Sequence, residues 1–465
     1  MSKIADKYFK GRGGVLELLP IAIPMFLSSM FDMLMMFVDR LFLSHVGVVH
    51  QAAAMSGGVT SWMVVSFFAG IVGYSSALIA QYHGAGQKGN CTRMVWQSLM
   101  LGLASYPLVL LVDLAVSHSP VFSAHSALEQ ELERRYFWYM AFGTVFALMR
   151  FSFSSFFSGI GRTKVIMAAN VVAMVVNIFA NWVLIFGHLG FPALGLDGAA
   201  IGTLLSSFSA VALIAARFFR ERRTEEWRDA TPGFFDAGKL LKLLRYGLPQ
   251  GVENVLGMMG FVCLLSAFHS YGDDMATATT ICFNWDNFSF HPLMGVQVAV
   301  TTLVGQFMGA GEPRLAARSA RSGFIAALLY SFCVTMLFVT CAPQLVGVFT
   351  PASSGLDYAG VRAYALPMIR LCGLYLMTDA VLLVSSGVLR GAGDTFWCMV
   401  VHLAINLTNA ACIVFSVRVL QVKPLQAWTI FVVFGILGST AIFTRYRLGH
   451  WKKLRIIEGG ATTGA

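Results

Sequence analysis

The stretch QYHGAG at Gln81–Gly86 recurs as QFMGAG at Gln306–Gly311. The two stretches are 225 residues apart (81 to 306), and the same spacing relates Pro24 to Pro249. A chain made of two related apolar halves is typical of membrane transporters, whose substrate site lies where the repeats meet. The repeat therefore predicts two lobes with a substrate cavity at their interface.

A second spacing supports the same division. Gly159 and Gly161 correspond to Gly391 and Gly393 at 232 residues (159 to 391). The increase from 225 to 232 indicates that the second half has gained seven residues, most simply in the loop near 350–357.

The composition places the chain in a membrane. Of its 465 residues, 57% are hydrophobic and 12% charged, against about 25% charged in an ordinary soluble domain. Its mean hydropathy is +0.70. A transmembrane helix needs about 20 apolar residues, so we expect an all-α polytopic protein with about twelve spans. The predicted spans are about 15–45, 53–82, 94–116, 132–158, 165–187, 198–218, 246–269, 276–306, 319–343, 361–388, 396–417 and 426–446.

The net charge of +10 reports topology rather than a nucleic-acid partner. Lys and Arg cluster before the first span and after each even-numbered span, whereas the loops 116–130, 188–197 and 269–275 contain none. By the positive-inside rule, both termini are expected in the cytoplasm of a cell whose cytoplasmic (inner) membrane the chain crosses. The 8 cysteines form no CxxC pair, and neither a disulfide framework nor a cofactor is expected.

The predicted domains follow the two sets of six spans. Residues 1–218 form an N-lobe, residues 219–245 a charged cytoplasmic linker, and residues 246–465 a C-lobe with a short basic tail. Both lobes start on the same side, so they are expected to be parallel repeats. Nothing in the sequence requires more than a monomer.

Several motifs together resemble the multidrug and toxic compound extrusion (MATE) transporters. The match runs from about Leu16 to Leu448. The motifs are Pro24, Phe37-Val38-Asp39, the two Gly-Ala-Gly stretches, Gly247-Leu-Pro249, Asp379-Ala380 and Gly387-Val-Leu-Arg390-Gly391-x-Gly393-Asp394-Thr395. The resemblance implies a V-shaped transporter of twelve helices that exports organic cations and other amphiphilic drugs or metabolites in exchange for H⁺ or Na⁺.

Carboxylates inside spans are the candidate coupling groups, because a charged side chain there costs about 2.5–3.5 kcal/mol and rarely occurs without a function. None of these acids has an acidic residue at the equivalent position of the other half. We therefore assign the residues that the two halves share to the scaffold, and the acids to functions that differ between the halves. We single out five: Asp32, Asp39, Glu253, Asp286 and Asp379.

Asp39 is the first candidate for cation coupling, since it matches the first-helix Asp of the MATE family. Asp32 lies seven residues earlier on the same helical face. Asp39 either couples cations or pairs with the adjacent Arg40 near the membrane surface. For Asp32, a coupling role and a structural role are equally open.

In the second half, Asp379 matches the tenth-helix Asp of the bacterial sodium-linked branch, and a structural hydrogen bond is its alternative. Glu253 is one helical turn from Gly257, where that branch has its Glu, so it either faces the cavity or lies at the interface. Asp379 and Glu253 are candidates for binding Na⁺. Substrate contacts are expected from Asp39, Asp379, Glu253 and Asp286.

Two alternatives remain for the transported molecule. A flippase for a lipid-linked precursor needs several basic residues for phosphate, and the exporter of a narrow endogenous metabolite needs no drug site. An enzyme is not expected, because His83, His291 and His402 are isolated in the sequence. The expected partners are small cationic or amphiphilic molecules and membrane lipid.

Overall fold

The computed structural model of the chain describes residues 9–119, 126–224, 227, 234–349 and 358–457. These residues are helical, with short connections and no strand among them. Twelve segments are long and apolar enough to cross a membrane. The prediction of an all-α protein with about twelve spans is therefore confirmed.

The helices of the described chain are numbered here in chain order. They are α1 (Val15–Val46), α2 (Val48–Gly73), α3 (Ser75–Gly84), α4 (Lys88–Ser117), α5 (Ala127–Gly159), α6 (Lys164–Phe186), α7 (Leu196–Glu221), α8 (Ala237–His269), α9 (Asp273–Gly309), α10 (Pro313–Thr340), α11 (Ala342–Gly347), α12 (Ala359–Ala392), α13 (Thr395–Arg418) and α14 (Pro424–Leu448), followed by a 3₁₀ turn (His450–Lys453).

The largest difference from the predicted spans is the start of α8. It begins at Ala237, nine residues before the predicted 246, so part of the expected linker is helical. Asp236 explains this start, because its Oδ1 accepts a hydrogen bond of 3.1 Å from the Lys239 backbone N–H. Hydrogen bonds from Lys239 also hold the pKa of Asp236 below its usual range. The Pro232-Gly233 part of the linker and the 350–357 insertion lie outside the described residues.

Two compact units make up the chain. The first unit contains residues 27–255 and 309–311, and the second contains the segment up to Phe26, residues 256–308 and the described chain from Glu312 onward. The predicted lobes, 1–218 and 246–465, follow chain order. The units instead divide inside α1 and α8, so the first part of each helix belongs with the other half of the sequence.

Packing explains why the first part of α1 belongs to the second unit. Leu18, Ile21 and Ala22 are buried in a core cluster with residues of α9, α10 and α12. The segment before α1 is also tied to α10. Arg12 forms an ion pair of 2.7 Å with Glu312, and the carbonyl of Gly13 accepts a hydrogen bond of 2.8 Å from Ser322 Oγ.

The repeat seen in the sequence recurs as equivalent glycine contacts in the two units. A Cβ on Gly70 would lie 2.9 Å from the backbone nitrogen of Gly251, and one on Gly295 would lie 3.0 Å from that of Phe26. Both partners in one pair are related to those in the other by the 225-residue spacing. Glycine at these positions lets two helix backbones approach closely.

A second pair of glycines obeys the same symmetry. A Cβ on Gly159 would lie 2.8 Å from the carbonyl oxygen of Ser76, and one on Gly391 would lie 2.6 Å from that of Thr301. Ser76 and Thr301 are 225 residues apart, and the glycines are 232 apart. Each unit therefore holds its helices together at the same place by backbone contact.

We expect Gly159→Ala and Gly391→Ala each to lower the free energy of unfolding by about 1–3 kcal/mol, because the added methyl group meets a backbone carbonyl that cannot rotate away. Thermal unfolding of the purified protein in detergent measures the effect. Gly257→Ala is the matched control, since nothing lies within 4 Å of its Cβ position. Equal melting temperatures for all three variants would contradict the packing role.

Candidate functional site

Asp39 lies in a cluster of polar side chains inside the first unit. The Nδ2 group of Asn181 donates a hydrogen bond to Asp39 Oδ1. The same Nδ2 lies 3.3 Å from Asn177 Oδ1. Both asparagines are fully buried, and their spacing of four residues places them on one face of α6. The amides thus hold the carboxylate from the adjacent helix.

A glycine on α7 makes room for this arrangement. The Cβ of any larger residue at Gly202 would overlap Asn181 Oδ1. Tyr136 on α5 is buried, and it lies near enough to Asp39 for the two side chains to interact electrostatically. Asp39 is therefore hydrogen-bonded to an amide of α6 and lies near Tyr136 of α5, while the adjacent Arg40 acts on it only through its charge.

Asp32 has a different environment two turns earlier on α1. Its Oδ1 lies 3.5 Å from Arg150 Nη1, and its Oδ2 accepts a hydrogen bond of 3.1 Å from Asn170 Nδ2. The side chains of Asp32 and Arg150 are 37% and 29% exposed. This ion pair gives Asp32 a structural partner that Asp39 does not have.

The second unit contains a pair of neighbouring carboxyls. Asp379 on α12 is 2% exposed, and Asp286 on α9 lies close enough for the two charges to interact. Tyr375, one turn before Asp379, places its hydroxyl beside that acid. One carboxyl oxygen of each acid, Oδ1 of Asp286 and Oδ2 of Asp379, is buried without a hydrogen-bond partner. Oxygens in such a setting suit a proton or a hard cation.

Helix α14 positions Tyr375 in this pair. The Tyr375 ring packs against Gly435, where a Cβ would overlap the ring. Next to it, Ser439 Oγ donates a hydrogen bond of 2.8 Å to the carbonyl of Thr378. The Tyr375 ring is thus packed against the backbone of α14, and the Ser439 bond joins the same two helices.

Glu253 lies half-buried on α8, one turn before Gly257. It belongs to the first unit, whereas Asp379 belongs to the second. The space around Gly257 is open. The Na⁺ site predicted at Asp379 and Glu253 thus draws on residues of two units and stays a prediction.

Some charged residues inside the spans escaped the sequence reasoning, among them Asp113, Glu133 and Arg150. Asp113 and Glu133 are fully buried, although both fall within the predicted third and fourth spans, so the set of five acids was incomplete. Both oxygens of Asp113 lack hydrogen-bond partners. Arg150 also lies within a predicted span. A basic residue inside a span could have been recognised in the sequence as a possible partner for an acid such as Asp32.

A family model described as MatE matches the chain over residues 24–183 and 249–415. The chain belongs to the MATE family. The two matched segments start at Pro24 and Pro249, so the family's own pattern follows the 225-residue repeat. This MATE protein is therefore a polytopic membrane transporter, and the resemblance drawn from its motifs is confirmed.

Curated relatives cover almost the whole chain. The "Probable multidrug resistance protein NorM" of Thermotoga maritima is 27% identical over 450 residues, which is 95% of this chain and 94% of the relative. The "Multidrug resistance protein PmpM" of Pseudomonas aeruginosa is 26% identical over 407 residues, 84% of this chain and 81% of the relative.

A solved structure confirms the fold. It is described as the outward-facing conformation of a multidrug resistance MATE family transporter of the MOP superfamily. It matches with a TM-score of 0.83 at 20% identity, covering 95% of this chain and 97% of that chain.

We expect Gly202→Ala to impair transport by this MATE protein about tenfold or more, because the methyl group displaces Asn181 from Asp39, and misplacing a supporting side chain by about 1 Å can cost a hundredfold. The assay is transport in proteoliposomes. Gly73→Ala is the control, since its Cβ would make one ordinary contact of 4.0 Å, with the Phe151 ring. Full transport by the Gly202→Ala protein would show that the Asn181 contact is dispensable.

A double-mutant cycle distinguishes a structural from a coupling role for Asp32. We expect Asp32→Asn and Arg150→Gln each to destabilise the protein, and the double variant to recover about 1 kcal/mol relative to additivity, since the two side chains form one partly exposed pair. Thermal unfolding measures the three variants. Strict additivity would mean that the pair contributes nothing to stability.

Proposed function

We propose that this MATE protein is a secondary antiporter of the bacterial inner membrane. It exports organic cations and other amphiphilic compounds in exchange for H⁺ or Na⁺. The observation that carries the proposal is the Asp39 cluster, in which a carboxylate inside a span accepts a hydrogen bond from a buried amide. The multidrug resistance relatives NorM and PmpM support the substrate class.

The Asp39 cluster can hold both forms of its carboxyl group. As a carboxylate, Asp39 accepts the hydrogen bond from Asn181 Nδ2. When protonated, its hydroxyl can donate to Asn181 Oδ1, which is buried without a partner. An amide offers a donor and an acceptor, so it can serve either state by turning over about its Cβ–Cγ bond. This property suits a group that must take up and release a proton.

The carboxyl pair of the second unit offers a second cation site. Asp286 and Asp379 repel each other when both are charged, and a bound proton or Na⁺ relieves that repulsion. Na⁺ is a hard cation that prefers oxygen ligands, which the two carboxyls and Tyr375 provide. The two clusters lie in different units, so each unit has its own candidate site for a coupling ion.

Exchange follows if ion and substrate stabilise different conformations of the protein. A ligand shifts a conformational equilibrium only by its difference in affinity for the two states. Cation binding to the carboxyls removes the negative charge that would attract an organic cation. The inward-moving ion and the outward-moving substrate therefore compete for the same charges without having to touch each other.

Transport of a phosphate-bearing lipid precursor is less well supported. A site for phosphate needs a basic residue that is free to meet it. Arg150 lies within a span of the first unit, and it already pairs with Asp32. Its charge is thus compensated within the protein.

The test is efflux of a fluorescent lipophilic cation from proteoliposomes under an imposed pH gradient and, separately, an imposed Na⁺ gradient. We expect efflux under at least one gradient, and that gradient identifies the coupling ion. Asp39→Asn should abolish gradient-driven efflux because it removes the titratable, charged group while keeping the size of the side chain.

Glu131→Gln, which neutralises an exposed acid on the same unit, should retain wild-type efflux. Thermal unfolding shows whether each variant is folded. Efflux by Asp39→Asn at the wild-type rate would overturn the role of Asp39. If the folded wild-type protein shows no efflux under either gradient, ion-driven export of cations would be overturned. A narrow endogenous metabolite or a lipid precursor would then be favoured as the substrate.

A further inference from the structure

A groove on the second unit takes no part in the proposed exchange. It lies between α10, α12, α14 and the 3₁₀ turn, and its volume is about 790 Å³. Phe324, Leu328 and Met377 are among the apolar side chains that line most of its length. The apolar lining suits an apolar chain. We call this groove the α10–α14 groove.

One end of the α10–α14 groove is strongly basic. Arg321, Arg447 and Lys452 line it, and all three side chains are exposed. A smaller cavity of about 400 Å³ adjoins this end, sharing Arg321 and Lys452 and adding Arg314 and Arg318. No Asp or Glu is among the described residues that line either cavity. The basic end therefore attracts an anion and repels an organic cation.

The wall of the groove is an ordered aromatic cluster. The Phe324 and Tyr446 rings lie 5.3 Å apart, Phe443 and Tyr446 lie 5.8 Å apart, and Tyr446 stacks on the buried Trp451 at 6.0 Å. The Arg447 guanidinium lies 5.9 Å from the centre of the Phe443 ring. These contacts fix the side chains before a ligand arrives, which lowers the entropy cost of binding.

The order of groups along the groove matches that of a phospholipid. α10 begins at Pro313 and α14 ends at Leu448, so the basic end lies at the helix termini, where headgroups of a bilayer are found. Leu328 lies two turns further along α10, about 10 Å deeper than Arg321. Basic pockets at helix ends are known to bind anionic lipid headgroups.

We propose that the α10–α14 groove binds an anionic phospholipid. Arg321, Arg447 and Lys452 hold its phosphate, and an acyl chain lies along Phe324, Leu328 and Met377. Free phosphate would leave the apolar wall uncovered, and a zwitterionic lipid would leave the basic charges without a net partner. The charges around the Gly-Ala-Gly turns and both termini are predicted to be cytoplasmic, so the lipid comes from the cytoplasmic leaflet.

The test is native mass spectrometry of the full-length protein in detergent with phosphatidylglycerol or phosphatidylcholine. We expect a retained phosphatidylglycerol adduct, and about a hundredfold weaker binding in Arg321→Gln/Arg447→Gln/Lys452→Gln, since each basic residue near a lipid surface contributes about fivefold. Lys452→Gln alone, on an exposed turn, should weaken binding about fivefold if the triple variant fails to fold.

The control removes three charges from exposed basic residues of the other unit: Lys164→Gln/Arg220→Gln/Arg223→Gln. It should retain the adduct at wild-type affinity. Equal losses in both triple variants, or no loss in either, would overturn the site and point to non-specific attraction. Equal binding of phosphatidylcholine would overturn recognition of the headgroup.

Met377→Trp separates a lipid from a free phosphate ligand, because it fills the apolar part of the groove and keeps every charge. We expect it to weaken phosphatidylglycerol binding, and we expect glycerol phosphate at millimolar concentration not to displace the lipid. Displacement by glycerol phosphate with unchanged binding in Met377→Trp would show that the basic end takes a phosphate anion alone.

Discussion

Close contact between helix backbones is the constraint on which this structure depends. In lipid, burying apolar surface gives helices little reason to associate, so packing must come from shape and from close approach. Gly159 and Gly391 supply that approach at equivalent places in the two units, each against a backbone carbonyl. The same positions explain why the sequence repeat is clearest in its glycines and prolines and why its charged residues are free to differ.

The two units share this scaffold, but they contain different polar groups. The first unit surrounds Asp39 with amides from α6, and the second unit places Asp286 beside Asp379. A neutral amide and a second acid impose opposite demands on a carboxyl group: the first accommodates its charge, and the second opposes it. The two carboxyl environments therefore differ in how strongly they favour the charged form, a difference that a symmetric protein would lack.

Most of the fold could be predicted from the sequence because bilayer thickness and the need to pair every backbone polar group leave few choices. The spans and the repeat followed from apolar runs and glycine spacing, and the family followed from the resemblance of the motifs. The start of α8 did not, because it depends on the single cap at Asp236.

The partners of Asp32 and Asp39 lie on α5 and α6, more than 100 residues away in the sequence. Spacing within one helix cannot reveal them, and so Arg150 was missed.

The assignment of the first part of α1 to the second unit also sets an order on folding. Leu18, Ile21 and Ala22 pack against residues of α9, α10 and α12, which the ribosome makes much later. At about 5–20 residues per second, the start of α1 waits on the order of 15 to 75 seconds for these neighbours. During that interval the first part of α1 lacks these neighbours and is surrounded by lipid. The membrane that serves as the solvent of the finished protein thus also acts as a temporary partner for its first helix.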